Sequence, residues 1–192
     1  MPKTGLSPDD LRDKALEVAL QQIRVQGVEK VRLAGVAKAM GVSHAALYAY
    51  FTDKEALLDA ATDRWLTHLE AVVEARLAEM TDPEARLKQW FVQRYVEKRA
   101  RALADPEPYR AYSLAATTEK VFLRRHIAKM RARLTELLGE AGLGGVAQAQ
   151  LLQDATQGFN HPALIIAGAA VDRSGDLIHL LDAMIAGIRA AQ

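Results

Sequence analysis

The residues with the most distinctive chemistry lie in one short stretch, GVSHAALYAYFTDKEAL, which runs from Gly41 to Leu57. Ser43 can accept a hydrogen bond from a main-chain amide, and the hydroxyl of Tyr48 can donate one to a phosphate. His44 opens the same short helical segment, where its ring can reach the edge of a base. Lys54 lies in the first turn of the next helix, whose amides also favour phosphate. This combination indicates non-covalent recognition of nucleic acid rather than bond-breaking chemistry.

Two short helices and a glycine-containing turn must position these groups. The pattern predicts helices over residues 33–40 and 44–50, joined by Gly41-Val42-Ser43. Leu47 and Phe51 are four residues apart and therefore face the core together, so Tyr48 between them faces outward. Tyr50 is expected to be a partly buried anchor. The second helix of such a pair usually enters the major groove of DNA.

The rest of the chain is helical in pattern, with proline and capping residues at the helix starts. Ser7-Pro8 starts the first helix, which ends near Gly27, and Asp82-Pro83 and Asp105-Pro106 start later ones. Thr52 and Glu55 have the spacing of a capping box for a long helix that reaches about residue 80. The sequence thus predicts an all-α fold of about nine helices. Residues 1–54 are expected to form a helix-turn-helix domain, and residues 55–192 a larger helical domain.

Composition excludes several functional classes. The chain has 192 residues, no cysteine and a net charge of +1, so thiol catalysis is excluded and any nucleic-acid contact must be local. The histidines have no metal-binding spacing, the serines lie in no nucleophile motif, and no glycine-rich phosphate loop follows a strand. We therefore expect no catalytic residue, no metal and no cofactor. The absence of a signal-like or membrane-spanning apolar run predicts a cytoplasmic location.

A longer motif surrounds the helix pair. The segment VAKAMGVSHAALYAYFTDKEALL resembles the N-terminal signature of the TetR family of transcriptional regulators, which reads Ile/Val-Ala, Gly-Val-Ser, Leu-Tyr, His or Tyr, Phe, Lys-Glu and Leu-Leu. The chain matches this signature at Val36, Ala37, Gly41, Val42, Ser43, Leu47, Tyr48, Tyr50, Phe51, Lys54, Glu55, Leu57 and Leu58.

The resemblance implies a homodimer that binds a palindromic DNA operator and a small-molecule effector, most often as a repressor that the effector releases. It places six residues where family members touch DNA: Ser43, His44, Ala45, Ala46, Tyr48 and Lys54. The chain departs from the family at Arg32, where a helix-capping threonine is common. An arginine cannot cap a helix N-terminus, but it can reach a phosphate or a guanine edge, so Arg32 joins the predicted DNA contacts.

Aromatic and basic residues in the larger domain are candidates for the effector pocket, since such pockets are mostly apolar with few polar groups. The predicted pocket residues are Trp65, Trp90, Arg94, Tyr95, Tyr112, Phe122, His126 and Phe159. For any single aromatic residue among them, a place in the core is the favoured interpretation. Basic residues also crowd the helix after Glu119, where a solvated face is the favoured interpretation and a site for an anionic effector the alternative.

The C-terminal helices are almost entirely apolar, as in LIIAGAAV and LIHLLDAMIAGI, and such helices need cover on more than one side. In the TetR family the last two helices of each subunit form a four-helix bundle across the dimer. The predicted dimer-interface residues are Phe159, Ile178, Leu181, Ile185 and Ile188.

Two alternatives remain open from the sequence. The protein could be a helical small-molecule-binding protein whose helix-turn-helix is only a packing motif, or an all-helical enzyme with a dispersed site. Specific retention of DNA in a gel shift would distinguish the regulator from both.

Overall fold

The computed structural model describes residues 7–192, and within this range the chain is all-helical, as predicted. The described helices are α1 (Pro8–Gln26), α2 (Leu33–Met40), α3 (His44–Tyr48), α4 (Lys54–Leu77), α5 (Pro83–Ala104), α6 (Pro106–Thr117), α7 (Val121–Glu140), α8 (Val146–Ala155), α9 (Pro162–Gly168) and α10 (Ser174–Ala190). Short 3-10 helices cover Val28–Lys30 and Gln157–Phe159. The described residues therefore form ten α-helices, against about nine predicted. The difference arises because the segment after α8 forms a 3-10 helix and Pro162 starts a separate α-helix.

Side-chain caps at the helix starts agree with the sequence in two places. Ser7 Oγ accepts a hydrogen bond from the amide of Asp10 at 3.2 Å, and Asp82 Oδ1 accepts one from the amide of Ala85 at 2.9 Å. At the end of α1, Gly27 has φ 81°, and its N–H donates to Ile23 O at 2.9 Å. These contacts satisfy main-chain groups that a helix leaves unpaired at its ends.

Two predicted caps are wrong. Asp53, not Thr52, caps α4, because its Oδ1 accepts from the amide of Ala56 at 2.7 Å. The charged carboxylate, one residue closer to the helix, is the stronger acceptor at a positive helix end. Asp105 makes no side-chain cap on α6, since its carboxylate is bound by Arg24 in a bidentate pair at 2.9 Å to each oxygen.

The chain divides into two compact units, Met1–Thr67 with Asp105–Phe122, and His68–Ala104 with Leu123–Gln192. This division does not follow the predicted boundary between residues 54 and 55. In the first unit α1 packs against α2 and α6, and α2 packs against α3. The apolar faces of α1 and α6 bury each other, which places α6 in the same unit as the helix-turn-helix.

The second unit has its own apolar core. Helix α5 packs against α9 and α10, and α10 also packs against α8. Leu87 and Phe91 of α5 and Leu181 of α10 are buried there. In the described part of the chain, no helix is both long and apolar enough to cross a membrane.

Candidate nucleic-acid interface

The turn between α2 and α3 is built by a left-handed glycine. Gly41 has φ 68° and ψ 26°, and the amide of Val42 donates to Ala37 O at 3.1 Å. This end satisfies the last carbonyls of α2 and reverses the chain, which a residue with a Cβ adopts only with strain. Ser43 Oγ then accepts from the amide of Ala46 at 3.2 Å, so the predicted cap of α3 is confirmed.

Apolar residues fix α3 on the first unit. Leu47 and Val36 are fully buried, and Phe51 nearly so. The helix ends at Tyr48, two residues earlier than predicted, because the amides of Tyr50 and Phe51 both donate to Leu47 O, at 3.0 and 2.9 Å. Tyr50 is half-buried, which agrees with the expected anchoring role.

The opposite face of α3 is open to solvent. Ser43, His44 and Ala45 are exposed, Ala46 is half-buried, and Tyr48 is 49% exposed. The rings of His44 and Tyr48 meet edge to face, with centroids 4.7 Å apart. This contact orients both polar side chains on one face and leaves the small alanine surface beside them.

Arg32 and Lys54 both contact one main-chain carbonyl, that of Glu29. Lys54 Nζ donates to Glu29 O at 2.6 Å, and the Arg32 guanidinium donates to the same oxygen and to Val31 O at 2.9 Å. Arg32 makes no side-chain cap on α2, as expected. Burial lowers the pKa of Lys54, and Arg32 lowers it further, while Glu29 acts in the opposite direction. Two cations that share one neutral acceptor make a local positive site suited to phosphate.

Glu29 was not among the predicted residues. Glu29 takes part through its main-chain oxygen. Because every residue has such an oxygen, the types and spacing of side chains in the sequence do not indicate which one will be used. The structure thus brings the predicted Arg32 and Lys54 together through a residue that sequence reasoning missed.

The predicted effector-pocket residues are all buried, and they lie in both units. In the first unit the Trp65 ring is 6.2 Å from that of Tyr112 and 5.8 Å from that of Tyr109, and its Nε1 donates to Asp105 Oδ2 at 3.3 Å. Phe122 is buried in the same unit. Tyr109 was not predicted, yet it is fully buried, and burial raises the pKa of its hydroxyl.

The second unit holds Trp90, Arg94, Tyr95, His126 and Phe159. Arg94 Nη2 donates to Glu70 Oε1 at 3.0 Å, and His126 Nε2 lies 3.4 Å from the same oxygen. Tyr95 packs on Phe159 with ring centroids 5.6 Å apart. Glu70 was missed because a charged residue on an amphipathic helix usually faces water.

The predicted dimer residues occupy mainly inward positions of the second unit. Leu181, Ile185, Ile188 and Phe159 are buried within one subunit, while Ile178 is exposed. Helix α10, which carries Leu181, Ile185 and Ile188, packs against α5 and α8 of the same chain, and the assignment of the five residues to a dimer interface stays a prediction. Helical spacing identifies an apolar face, but it does not say whether the same chain or another covers it.

The basic residues of α7 are partly paired. Arg133 binds Glu74 through two hydrogen bonds of 3.1 and 3.0 Å, and Arg131 Nε donates to Gln153 Oε1 at 2.9 Å. Lys129 is exposed. These contacts agree with the favoured interpretation of a solvated face. Among the residues that the structure describes, no cluster of three His, Cys, Asp or Glu is arranged to bind a metal.

Models of two protein-family domains match separate parts of the chain. "Bacterial regulatory proteins, tetR family" matches residues 15–61, which include the α2–turn–α3 pair. "Tetracyclin repressor-like, C-terminal domain" matches residues 83–173. The chain therefore belongs to the TetR family of bacterial transcriptional regulators and carries its helix-turn-helix DNA-binding domain.

Curated relatives resemble part of the chain. The HTH-type transcriptional regulator BetI of Yersinia pestis (strain Pestoides F) is 34% identical over 90 residues, which are 46% of this chain and 45% of BetI. BetI of Pectobacterium atrosepticum is also 34% identical over 90 residues, covering 46% of each chain. This chain thus spans about half the length of the curated relatives it matches.

Solved structures resemble the whole chain in fold. FadR from Bacillus halodurans, a fatty acid degradation regulator, has a TM-score of 0.59 at 20% identity and covers 92% of this chain and 93% of its own. FadR from Thermus thermophilus, a TetR-family repressor in complex with lauroyl-CoA, has a TM-score of 0.58 at 20% identity and covers 92% of both chains. A TetR-family regulator from Agrobacterium tumefaciens has 0.57 at 16% identity, over 93% of this chain and 97% of its own.

Proposed function

We propose that the protein is a dimeric repressor that binds a palindromic DNA operator and is released by a small-molecule effector. Two observations support the DNA-binding part: α3 presents an exposed face, and Arg32 and Lys54, at the starts of α2 and α4, share the main-chain oxygen of Glu29. In this proposal residues 1–54 bind DNA, residues 55–192 bind the effector and the second subunit, and no reaction is catalysed. A regulator of this kind acts in the cytoplasm, where its DNA is.

In the proposed complex α3 enters the major groove. The small side chains of Ala45 and Ala46 allow close approach and offer methyl contacts to thymine. The Tyr48 hydroxyl binds a phosphate, Ser43 and His44 contact the groove edge, and Arg32 and Lys54 bind phosphates on either side. Contacts to phosphate set affinity and register, while the α3 face sets sequence preference.

Dimerisation would cover the outer face of α8 and α10. Leu151 and Ile178 are exposed there, and a groove of about 430 Å³ runs between Leu151, Met184 and Gly187. We propose this face as the dimer contact, because it includes two of the predicted interface residues: Ile178 is exposed on it and Ile188 lines the groove. A twofold dimer would present two copies of α3 about 34–36 Å apart, one turn of B-DNA.

The proposed effector is a small molecule bound in the helical domain, at residues that include Trp90, Arg94, Tyr95, His126 and Phe159. The likeness to FadR from Thermus thermophilus, which was solved with lauroyl-CoA, supports a ligand site in this fold without naming the ligand. Effector binding would shift the population of dimers away from the spacing that fits two successive grooves, and so weaken operator binding.

A gel-shift titration of the purified protein against the DNA that flanks its own coding region tests the proposal. We expect specific retention that competitor DNA of unrelated sequence does not remove. Lys54→Ala should weaken binding about tenfold and lower the slope of log K against log salt by about one, because one phosphate contact is lost. Lys14→Ala, a change at an exposed lysine of α1, serves as the control and should leave both quantities unchanged.

Absence of any specific retention at low salt would contradict DNA binding by this chain. Retention with an unchanged salt slope in Lys54→Ala would instead remove only Lys54 from the phosphate contacts.

A further inference from the structure

The connection between α1 and α2, residues 27–32, carries the main-chain oxygen that holds the two predicted phosphate-binding cations. Glu29 O accepts from Lys54 Nζ at 2.6 Å and from the Arg32 guanidinium. No residue of the 3-10 helix Val28–Lys30 is buried, so this helix has no apolar anchor of its own. Its placement, and with it that of the two cations, therefore depends on contacts from neighbouring elements.

Helix α6, in the same compact unit, supplies contacts to this connection. Glu107 Oε2 lies 3.1 Å from the position that a Cβ would take at Gly27, and Arg110 Nη2 lies 3.9 Å from Glu29 Oε1. A groove of about 350 Å³ lies between the connection and α6, and its lining includes Arg24, Glu29, Glu107 and Arg110. At this end the two elements are therefore joined by polar side chains instead of continuous apolar packing.

Asp105, immediately before α6, makes the closest of the polar contacts that fix this end of α1. Its carboxylate accepts from Arg24 Nε and Nη2, each at 2.9 Å, and from Trp65 Nε1 at 3.3 Å. Arg24 is in the last turn of α1 and Trp65 is on α4, 81 and 40 positions away in sequence. A bidentate arginine–carboxylate pair sets direction as well as distance, so this pair orients the end of α1.

Asp105 gives up a local role to make this pair. It occupies the N-cap position of α6 but makes no side-chain cap, although an aspartate there usually accepts from a helix amide. Residues that break a local rule of this kind are expected mainly at functional or strained sites. The carboxylate thus serves the arrangement of α1 and α4 in preference to its own helix.

We infer that Asp105 is a positioning residue for DNA binding. Through Arg24 it fixes the end of α1 and the connection that follows. The connection places Glu29 O, and this oxygen holds Arg32 and Lys54 where they meet phosphate. The inference rests on the proposed function in taking these two cations to bind DNA, whereas Asp105 itself touches no DNA.

The negative charge of Asp105 separates this role from general electrostatics. Removing a carboxylate from a DNA-binding unit weakens its repulsion of the phosphate backbone, so by charge alone the DNA affinity should stay the same or rise. Removing a positioning carboxylate should lower the affinity, since Arg32 and Lys54 lose their placement. The two roles therefore predict opposite signs for the same substitution.

Asp105→Asn in the full-length protein tests the inference, because the side chain keeps its shape and loses its charge. We expect about tenfold weaker binding, the scale of one hydrogen bond to a charged group. The loss should be similar for the DNA that flanks the coding region and for an unrelated duplex, because phosphate contacts carry no sequence information. Fluorescence anisotropy at fixed salt, below the unfolding temperature of each variant, measures the affinities.

Asp13→Asn is the matched control. It removes the same charge from another ion pair of α1, in which Asp13 Oδ1 lies 2.8 Å from Arg64 Nη1 of α4. This pair makes no contact with the connection, so the affinity should stay unchanged or rise slightly. Arg24→Lys is a second variant that keeps the net charge. A lysine cannot form the bidentate pair, so this variant should also bind DNA more weakly.

A double-mutant cycle with Lys54→Ala separates positioning from a general loss of structure. The cost of Asp105→Asn should fall from about tenfold to about threefold or less once Lys54 is absent, because one of the two cations that Asp105 helps to place is gone. A merely structural role would give the same cost in both backgrounds.

The inference is overturned if Asp105→Asn binds DNA as tightly as the unaltered protein or more tightly, or if Asp13→Asn weakens binding equally. It is also overturned if Arg24→Lys keeps full affinity, or if the cost of Asp105→Asn is the same with and without Lys54. Each of these results leaves the proposed function in place, because the unaltered protein still binds DNA. If the unaltered protein retains no DNA, the proposed function fails and the positioning role fails with it.

Discussion

Two lysines, one in each unit, illustrate how the same side chain serves two purposes. Lys54, at the start of α4, is half-buried. Lys98, on α5, is almost completely buried and donates a hydrogen bond to the main-chain oxygen of Asn160. The pKa of both is lowered first by burial, but only that of Lys98 falls to about 7. Lys54 is only half-buried and can reach a phosphate from solvent, whereas Lys98 is enclosed by the second unit.

The difference extends to the groups around each lysine. Around α3, the polar groups are exposed or bonded to main-chain oxygens, so high-dielectric water screens them and their removal should affect binding more than folding. Among the buried side chains around Glu70 in the second unit, each charge depends on its neighbours, and its removal should affect folding directly. Exposure therefore separates residues whose mutation changes affinity from residues whose mutation changes stability.

The largest effect is expected for Arg94→Met, which leaves the Glu70 carboxylate buried without its main partner. We expect the free energy of unfolding to fall by about 3 kcal/mol, the lower end of the usual range, because Lys98 and His126 remain close to Glu70. Urea denaturation followed by tryptophan fluorescence measures this change. Lys129→Met should stay within about 0.5 kcal/mol of the original protein. If Arg94→Met lowers the free energy of unfolding as little as the control does, the Glu70 carboxylate must be open to water.

A smaller effect is expected from pH acting on Lys98. Its pKa is lowered to about 7 in the folded chain from an ordinary 10.5, so between these values the unfolded chain holds a proton that the folded chain has released. Rising pH in this window favours the folded chain, by at most about 1.4 kcal/mol per pH unit. Lys98→Met lacks this dependence, and it should be more stable than the original protein near neutral pH.

That advantage should shrink steadily as the pH rises from neutrality to about 9, because releasing the Lys98 proton on folding then costs less free energy. Urea denaturation of both proteins at three pH values between neutrality and that limit measures the difference. A constant difference across the range would mean that Lys98 titrates as an ordinary exposed lysine.

A still smaller effect separates two neighbouring residues at the start of α4. Asp53→Ala should cost about 1 kcal/mol, the usual value of an N-cap, because the Ala56 amide loses its acceptor. Thr52→Ala should stay within a few tenths of a kcal/mol, since the Thr52 hydroxyl makes no contact with that amide. Chemical denaturation of the two variants measures both changes in the free energy of unfolding. Equal losses would mean that Thr52 also caps α4, as its spacing predicts.

Sequence reasoning identified the elements whose signals are local. The Ser43 cap, the Gly41 turn and the burial of Leu47 and Phe51 each follow from residue type and spacing within a few positions. The exposed face of α3 follows from them, since fixing one side of a short helix fixes the other. For this reason the geometry of the candidate DNA interface was largely predictable.

Other features depend on which helices meet, and spacing does not encode that. Leu181 and Ile185 have the pattern of an interface, yet α5 and α8 of the same chain cover them. Glu70 and Lys98 have the pattern of solvated residues, yet they meet in the core of the second unit. Asp105 has the position of an N-cap for α6, but Arg24, which is distant in sequence, binds its carboxylate.

The smallest effect is expected on the exposed face of α3, at Tyr48. Tyr48→Phe removes a hydroxyl from a side chain that is 49% exposed, and it keeps the ring that packs edge to face on His44. We expect unchanged thermal stability and a loss of DNA affinity of about tenfold, which corresponds to the low end of the range for one hydrogen bond to a charged group. The loss should be similar for operator and unrelated DNA, because a phosphate contact carries no sequence information.

Tyr50→Phe is the matched control for that change, because Tyr50 is half-buried on the anchoring side of the same segment and is assigned no DNA contact. Fluorescence anisotropy with labelled operator and unrelated duplexes measures both variants. A loss confined to the operator would instead place the Tyr48 hydroxyl on a base edge, since only base contacts discriminate sequence. If Tyr48→Phe lowers stability as well as affinity, the hydroxyl supports α3 itself, and α3 would then resemble the buried charges around Glu70, whose removal affects folding.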